Sequence, residues 1–222
     1  MTGTAPPITV FSPAERQVIE RCATPLRVQL WLNQLRYNTE ADGETVRSFR
    51  QVVRRRTAHC LESALAAACI LEQHGYPPLL LDLHSADNLD HILFVYRKDG
   101  RWGSVARSRD PGLHGRKPVF RSLRALAMSY YDEYVDFTGS LTAYATFDLR
   151  ELGSYDWRFS ARNMWLVHRT LIGQRGATKL KGARGRVRQL RIAYKKYMAE
   201  HGKKPLYYEG RKNWLPIPKS FL

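Results

Sequence analysis

Residues 57–78 read TAHCLESALAAACILEQHGYPP, and the architecture follows from how this stretch folds. Between Ala64 and Leu71 it is apolar on every face of a helix, so protein must enclose it on all sides. Thr57 suits the N-cap of a helix starting around Ala58; His74-Gly75 suits its end, and Pro77 and Pro78 bar continuation. The alanines let neighbouring elements approach the backbone closely. A central helix is expected here, with Cys60 in its first turn.

Upstream, Ser12-Pro13-Ala14-Glu15 has the form of a capped helix start, with serine as N-cap, proline at N1 and glutamate in the capping-box position. Helical pattern continues to about Leu35, burying Val18, Leu26, Leu30 and Leu32, with Pro25 kinking or dividing it. A polar turn from Asn38 to Gly43 precedes a second helix over Thr45–Arg56, which ends in three arginines suited to the negative end of a helix dipole. Downstream, Leu79–Leu83, His91–Tyr96 and Trp102–Ala106 read as strands. Lys98-Asp99-Gly100-Arg101 forms a tight hairpin turn between the last two. Pro111 to Pro118 reads as a loop, Ser122–Tyr131 as a helix and Leu141–Phe147 as a strand. Helices followed by an antiparallel meander packed on one of them make an α+β fold.

The chain has 222 residues, 44% hydrophobic and 25% charged, as expected of a globular protein. No apolar run approaches a membrane span, and Met1 to Val10 lacks the pattern of a signal peptide, so a cytoplasmic protein without membrane attachment is expected. Cys22, Cys60 and Cys69 have spacings that fit neither a disulfide framework nor a zinc site. With no glycine-rich phosphate loop either, no cofactor or metal is expected. The net charge of +16 is uneven: residues 1–150 hold 19 Lys/Arg against 16 Asp/Glu, and residues 151–222 hold 17 against 4. A core over 1–150 and a basic, mainly helical extension over 151–222 follow. In the extension, helices are expected over Ser160–Ile172 and Arg186–Glu200. The second carries a stripe of Val187, Leu190, Tyr194 and Tyr197. The tail from Lys203 to Leu222 is expected to be extended.

Cys60 is the residue with chemical potential. At a helix start its sulfur meets unpaired N–H groups and the positive end of the dipole, both favouring thiolate, and Arg54, Arg55 and Arg56 add to this. Cys69 falls about half a turn away in the alanine run, where core packing is the expectation; Cys22 reads the same way. A nucleophilic thiol needs a base in reach. His59 neighbours Cys60 in sequence and is expected on another helix face. His74 lies at the far end, His114 in a loop, and His168 and His201 in the extension. His84 and His91 remain, and His91 opens the most apolar strand at the edge where a site beside the helix start would form.

The segment Thr57 to Ala64, the apolar helix and His74-Gly75-Tyr76-Pro77 together resemble the nucleophile helix of the transglutaminase-like superfamily, which shares a papain-like thiol-enzyme core. Asp90-His91-Ile92-Leu93-Phe94-Val95-Tyr96, followed by Gly100-Arg101-Trp102, is similar to that family's histidine strand and tryptophan-bearing strand. The likeness spans roughly residues 20–110. It implies Cys60 as nucleophile, His91 as its base, and the Cys60 N–H as an oxyanion donor. The family usually places an aspartate four residues after the tryptophan, to orient the histidine, and Ala106 stands there. Asp110 is the first substitute, as an anion that also stabilises an imidazolium; Ser108 and Asp90 are the others.

Two functions are therefore expected. One is a thiol enzyme that cleaves an amide or peptide bond, or transfers its acyl group, through a Cys60 thioester. The alternative is a weakened or inactive domain of the same fold, acting as a nucleic-acid- or protein-binding module. For nucleic acid, Arg184, Arg188, Arg191 and Lys195 would supply non-specific, salt-sensitive attraction. The plainer reading of these cations is a solvated helix face.

Overall fold

The computed structural model describes residues 4–173, 176–180, 184–201 and 216–222. Ser12 caps the first helix, α1 (Pro13–Arg21), in a reciprocal box: its Oγ accepts from the Glu15 N–H at 3.3 Å, and Glu15 Oε2 accepts from the Ser12 N–H at 2.7 Å. Thr24 then starts a separate helix, α2 (Pro25–Asn33), with Pro25 at its first position. The break resets the helical phase. Val28, Trp31 and Leu32 therefore face the core, and Leu26 and Leu30, expected inside, point outward at 66% and 53% exposure.

Next come β1 (Arg36–Tyr37), α3 (Phe49–Arg55), β2 (Thr57–Ala58) and α4 (Cys60–Glu72). Two starts differ from expectation. Helix α3 is capped by Ser48, because the Thr45 hydroxyl and the Arg47 N–H are held by the Glu62 carboxylate. Helix α4 begins two residues late, because Thr57 and Ala58 pair in parallel with Arg36 and Tyr37; His59 becomes its N-cap. From Leu61 to Glu72 every residue of α4 is buried, as an all-apolar helix requires.

The strands are β3 (Leu79–Ser85), β4 (His91–Lys98), β5 (Arg101–Val105), β6 (Arg116–Phe120), β7 (Leu141–Asp148) and β8 (Thr178–Lys179). They form one antiparallel sheet in the order β6-β5-β4-β3-β7-β8. Asp99 and Gly100 both take positive φ at the β4–β5 turn, as the tightest hairpin connection needs. Strand β4 is buried on both faces: Ile92, Phe94 and Tyr96 join the cluster around α4, and Leu93 and Val95 join a second cluster around α5 (Leu123–Met128). Helices thus cover both sides of an α+β sheet.

Beyond residue 150 lie α6 (Trp165–Ile172) and α7 (Arg184–His201). Trp157, Met164, Val167 and Leu171 belong to the α4 cluster, and Leu180 to the other. Arg158 binds the Glu72 carboxylate at the end of α4, its Nη2 donating to Oε2 at 2.7 Å. On α7, Leu190 and Tyr194 are buried, so the expected stripe is a packing face. Most of the tail, including Pro205, Tyr207, Tyr208 and Trp214, lies outside the described residues; Lys219–Phe221 forms a short turn, with the Phe221 ring packed at a tilt against Phe120. Among the described residues, no helix is long and apolar enough to cross a membrane.

Candidate active site

Cys60 occupies the first position of α4, where the helix leaves its leading N–H groups without intrahelical partners. The helix start is pinned by Glu62, which is wholly buried. Its Oε2 accepts from the His59 N–H at 3.1 Å, and its Oε1 accepts from the Thr45 hydroxyl at 2.7 Å and the Arg47 N–H at 3.0 Å. The Asn38 amide also donates to both oxygens. A single carboxylate therefore fixes the start of α4 against the chain leading out of β1.

Burial alone would raise the Cys60 thiol. Hydrogen bonds from the His59 and His91 rings, and the charge of both, instead hold it well below the ordinary thiol range. The arginine run ending α3 is exposed and is not among the leading influences. Burial pulls His59 down, but its hydrogen bond to Cys60 and the nearby Cys60 and Glu62 charges prevail, placing it at about 9. His59 Nε2 donates to the Thr45 carbonyl at 2.8 Å, which fixes the ring. The expectation that His59 turns away from Cys60 is thus corrected. At the N-cap its backbone is extended (φ −94°, ψ −172°), so helical facing rules do not apply to it.

His91 opens β4 and is buried. Its Nε2 lies 2.8 Å from the Leu113 carbonyl oxygen, an acceptor only, so this nitrogen carries the proton and Nδ1 is left for the thiol. The acceptor that faces Nε2 of His91 is a backbone oxygen. Asp110 lines the same cleft and builds the turn that presents this oxygen: it caps Pro111–Leu113, with Oδ1 accepting from the Gly112 N–H at 2.8 Å. Ser108 Oγ accepts from the Asp110 N–H, and Asp90 Oδ1 from the Ser85 N–H. Ala106 is locked to Gln29 through its own N–H and carbonyl.

Behind this turn sits a buried brace that the sequence did not announce. Arg116 donates to the Gly112 and His114 carbonyls and stacks over Tyr130, 4.3 Å from its ring centre. The Tyr130 hydroxyl bonds the His114 carbonyl and the Ser104 hydroxyl. Gly112 is closely packed here: a Cβ would lie 2.2 Å from a Glu133 carboxylate oxygen and would displace that side chain.

The thiol opens into a cleft of about 410 Å³. Its walls include Tyr37 after α2, Leu89 and Asp90 before β4, and Trp165 and His168 of α6. Asp82 of β3 also faces it; burial, then the charges of Asp90 and Cys60, push this carboxyl up to about 8. Asp82 sits in a strand that otherwise reads as apolar, so no sequence pattern marks it.

The four cations expected to attract nucleic acid are placed together. Arg184, Arg188, Arg191 and Lys195 line one groove on α7. Arg191 donates to the Asp136, Thr138 and Gly139 carbonyls and so is committed to packing α7.

Compared with known proteins, the chain matches no family model and none of the curated proteins.

Proposed function

We propose that this protein is a thiol enzyme of the transglutaminase-like kind, forming an acyl-thioester on Cys60 from an amide or peptide substrate. The observation that carries this reading is the Cys60 sulfur at a helix start, faced by the His59 and His91 rings and opening into a cleft. The thiolate attacks the carbonyl carbon, and the developing oxyanion takes the Cys60 N–H. Collapse breaks the C–N bond, and the leaving nitrogen takes the proton from His91 Nδ1. Water or an amine then attacks the thioester, giving its proton to His91 and releasing the thiol. Leu113 keeps His91 in the required tautomer, though a carbonyl lacks the full negative charge a carboxylate would place beside the imidazolium. His59 supplies the second positive partner for the thiolate. Free thiols at all three cysteines fit the cytoplasmic setting that the sequence suggests.

An activated ester tests this. With p-nitrophenyl acetate, the full chain should release a stoichiometric burst of nitrophenol and retain one acetyl group on Cys60 by peptide mass mapping. Cys60→Ser should lose both. Equal acetylation of Cys22, or of lysines alone, would sink the proposal. Partition of the acetyl-enzyme between water and an added primary amine then separates hydrolysis from transfer.

A second reading has support from the α7 groove, where Arg184, Arg188 and Lys195 are exposed side by side. A nucleic-acid role for it predicts oligonucleotide binding that weakens steeply with salt and is lost when these three become glutamine.

A further inference from the structure

Asp82 and His84 lie two residues apart on β3 and so share one face of the strand. Asp90, just before β4, brings its carboxylate to the same point. One donor atom from each of the three lies within 4.8 Å of the other two. Asp82 Oδ2 and His84 Nε2 are 3.4 Å apart. That separation is the edge expected for two ligands of a tetrahedral ion with bonds of about 2.0–2.1 Å.

The three side chains meet beside an irregularity of the sheet. The register of β3 against β7 shifts between His84 and Ser85, a break in pairing of the kind that re-aims side chains. Asp90 is anchored through Oδ1, which accepts from the Ser85 N–H at 2.7 Å, leaving Oδ2 available. Asp82 is only 2% exposed, yet its Oδ1 has no hydrogen-bond partner; neither does the buried Nε2 of His84. Buried polar atoms left without a partner are costly, and here two of them belong to side chains whose donor atoms meet at one point.

We propose that Asp82, His84 and Asp90 bind a single divalent transition-metal cation, Mn²⁺ or Zn²⁺, on the wall of the Cys60 cleft. Two carboxylates and an imidazole are a donor set for such ions. Asp82 and Asp90 line the cleft, so a bound ion would have an open coordination position facing the space where substrate enters. The site uses neither Cys60 nor His91, and its existence is independent of the thiol chemistry proposed above.

The test is a Mn²⁺ titration of the chelator-treated full chain, reading the free ion by electron paramagnetic resonance, with a Zn²⁺ titration against a chromophoric chelator beside it. One ion per chain is expected, with saturable binding of one ion retained in Cys60→Ser. Asp82→Asn and His84→Ala should each weaken binding by about tenfold or more, with circular dichroism confirming that both fold. Unaltered binding in both variants would overturn the site. So would binding lost in Cys60→Ser, which would move the ion to the thiol and its histidines. Absence of saturable binding of either ion at millimolar concentration would overturn it as well.

Discussion

Cys60 and Cys69 lie on one helix, and the protein treats them oppositely. Both are taken largely out of water, which by itself favours the neutral thiol. At Cys69, in the middle of α4, burial acts with little opposition and Glu72 adds to it, so the thiol is pushed well above its ordinary value. At Cys60, burial is outweighed by two imidazoles, and the thiol falls well below. The same residue type therefore becomes a nucleophile or a packing atom according to what faces its sulfur. Asp82 extends the comparison to a carboxyl group. It is buried beside other negative charges, and like Cys69 it is driven toward its neutral form.

The largest expected effect is in the alkylation rates of the two cysteines. At pH 6 an ordinary thiol is less than about 1% ionised, whereas Cys60, held well below the ordinary thiol range, should carry a far larger thiolate fraction. Adding the inaccessibility of Cys69, iodoacetamide should modify Cys60 faster by about 10³-fold or more, read by peptide mass spectrometry on the native protein. Its rate should rise through a midpoint well below 8 and then level off. His91→Ala and His59→Ala should each move that midpoint upward by about one unit or more. A midpoint indifferent to His91 would remove it as the partner of the thiol, and equal rates at the two cysteines would end the comparison itself.

The contrast predicts a dependence of stability on pH through Asp82. Its folded value of about 8 stands above the unfolded one, near 4. Between those values the unfolded chain has released a proton that the folded chain keeps, so stability falls as pH rises. Below about 4 both states are protonated and the effect vanishes. In chelator-treated protein, Asp82→Asn should therefore gain on the wild type by up to a few kcal/mol from pH 4 to pH 8 in urea unfolding. Parallel curves would mean that Asp82 is ionised in the fold against a positive partner.

Much of the frame around Cys60 was legible in the sequence, because it rests on patterns the chain must display. An octet apolar on all faces had to be central, and Asp99-Gly100 had to turn a hairpin. Strand β6 escaped notice since Pro118 argues against a strand; it is tolerated because β6 sits at the sheet edge, where one side of the backbone needs no partner. The outward turn of Leu26 and Leu30 was hidden because hydrophobic spacing does not reveal where a helix restarts. Within the site, Cys60 and His91 were readable as residue types in sequence order. The contact from His59 was not, since its extended N-cap backbone lies just outside the helix, where sequence spacing does not set the facing. Nor could the Leu113 carbonyl be read: every residue has one, and only the turn capped by Asp110 aims it at His91.

That difference between an anion and a carbonyl can be measured at Asp110. If its role is to cap the Pro111–Leu113 turn, Asp110→Asn keeps an Oδ1 acceptor for the Gly112 N–H and should alter the Cys60 alkylation rate by no more than about twofold. Asp110→Ala loses the cap, worth about 1 kcal/mol, and should slow it by up to about tenfold. Should Asn fall as far as Ala, the negative charge of Asp110 would be acting on the imidazolium directly, and the residue would take the orienting part that the family likeness implies.

The smallest effect belongs to Cys69, and it completes the comparison from the other side. A buried thiol that only fills space should be replaceable at the cost of its volume. Cys69→Ala removes one sulfur from a tightly packed helix, and alanine is at least as good a helix former. The loss should be about 1–2 kcal/mol in unfolding free energy, from lost burial and a small cavity. Cys60 alkylation, its pH midpoint and the ester burst should be untouched, because nothing that lowers the Cys60 thiol passes through Cys69. A shifted midpoint in this variant would show that the packing in the middle of α4 sets the position of its first turn. The contrast between the two cysteines would then come from one coupled helix, and the imidazoles alone would not explain it.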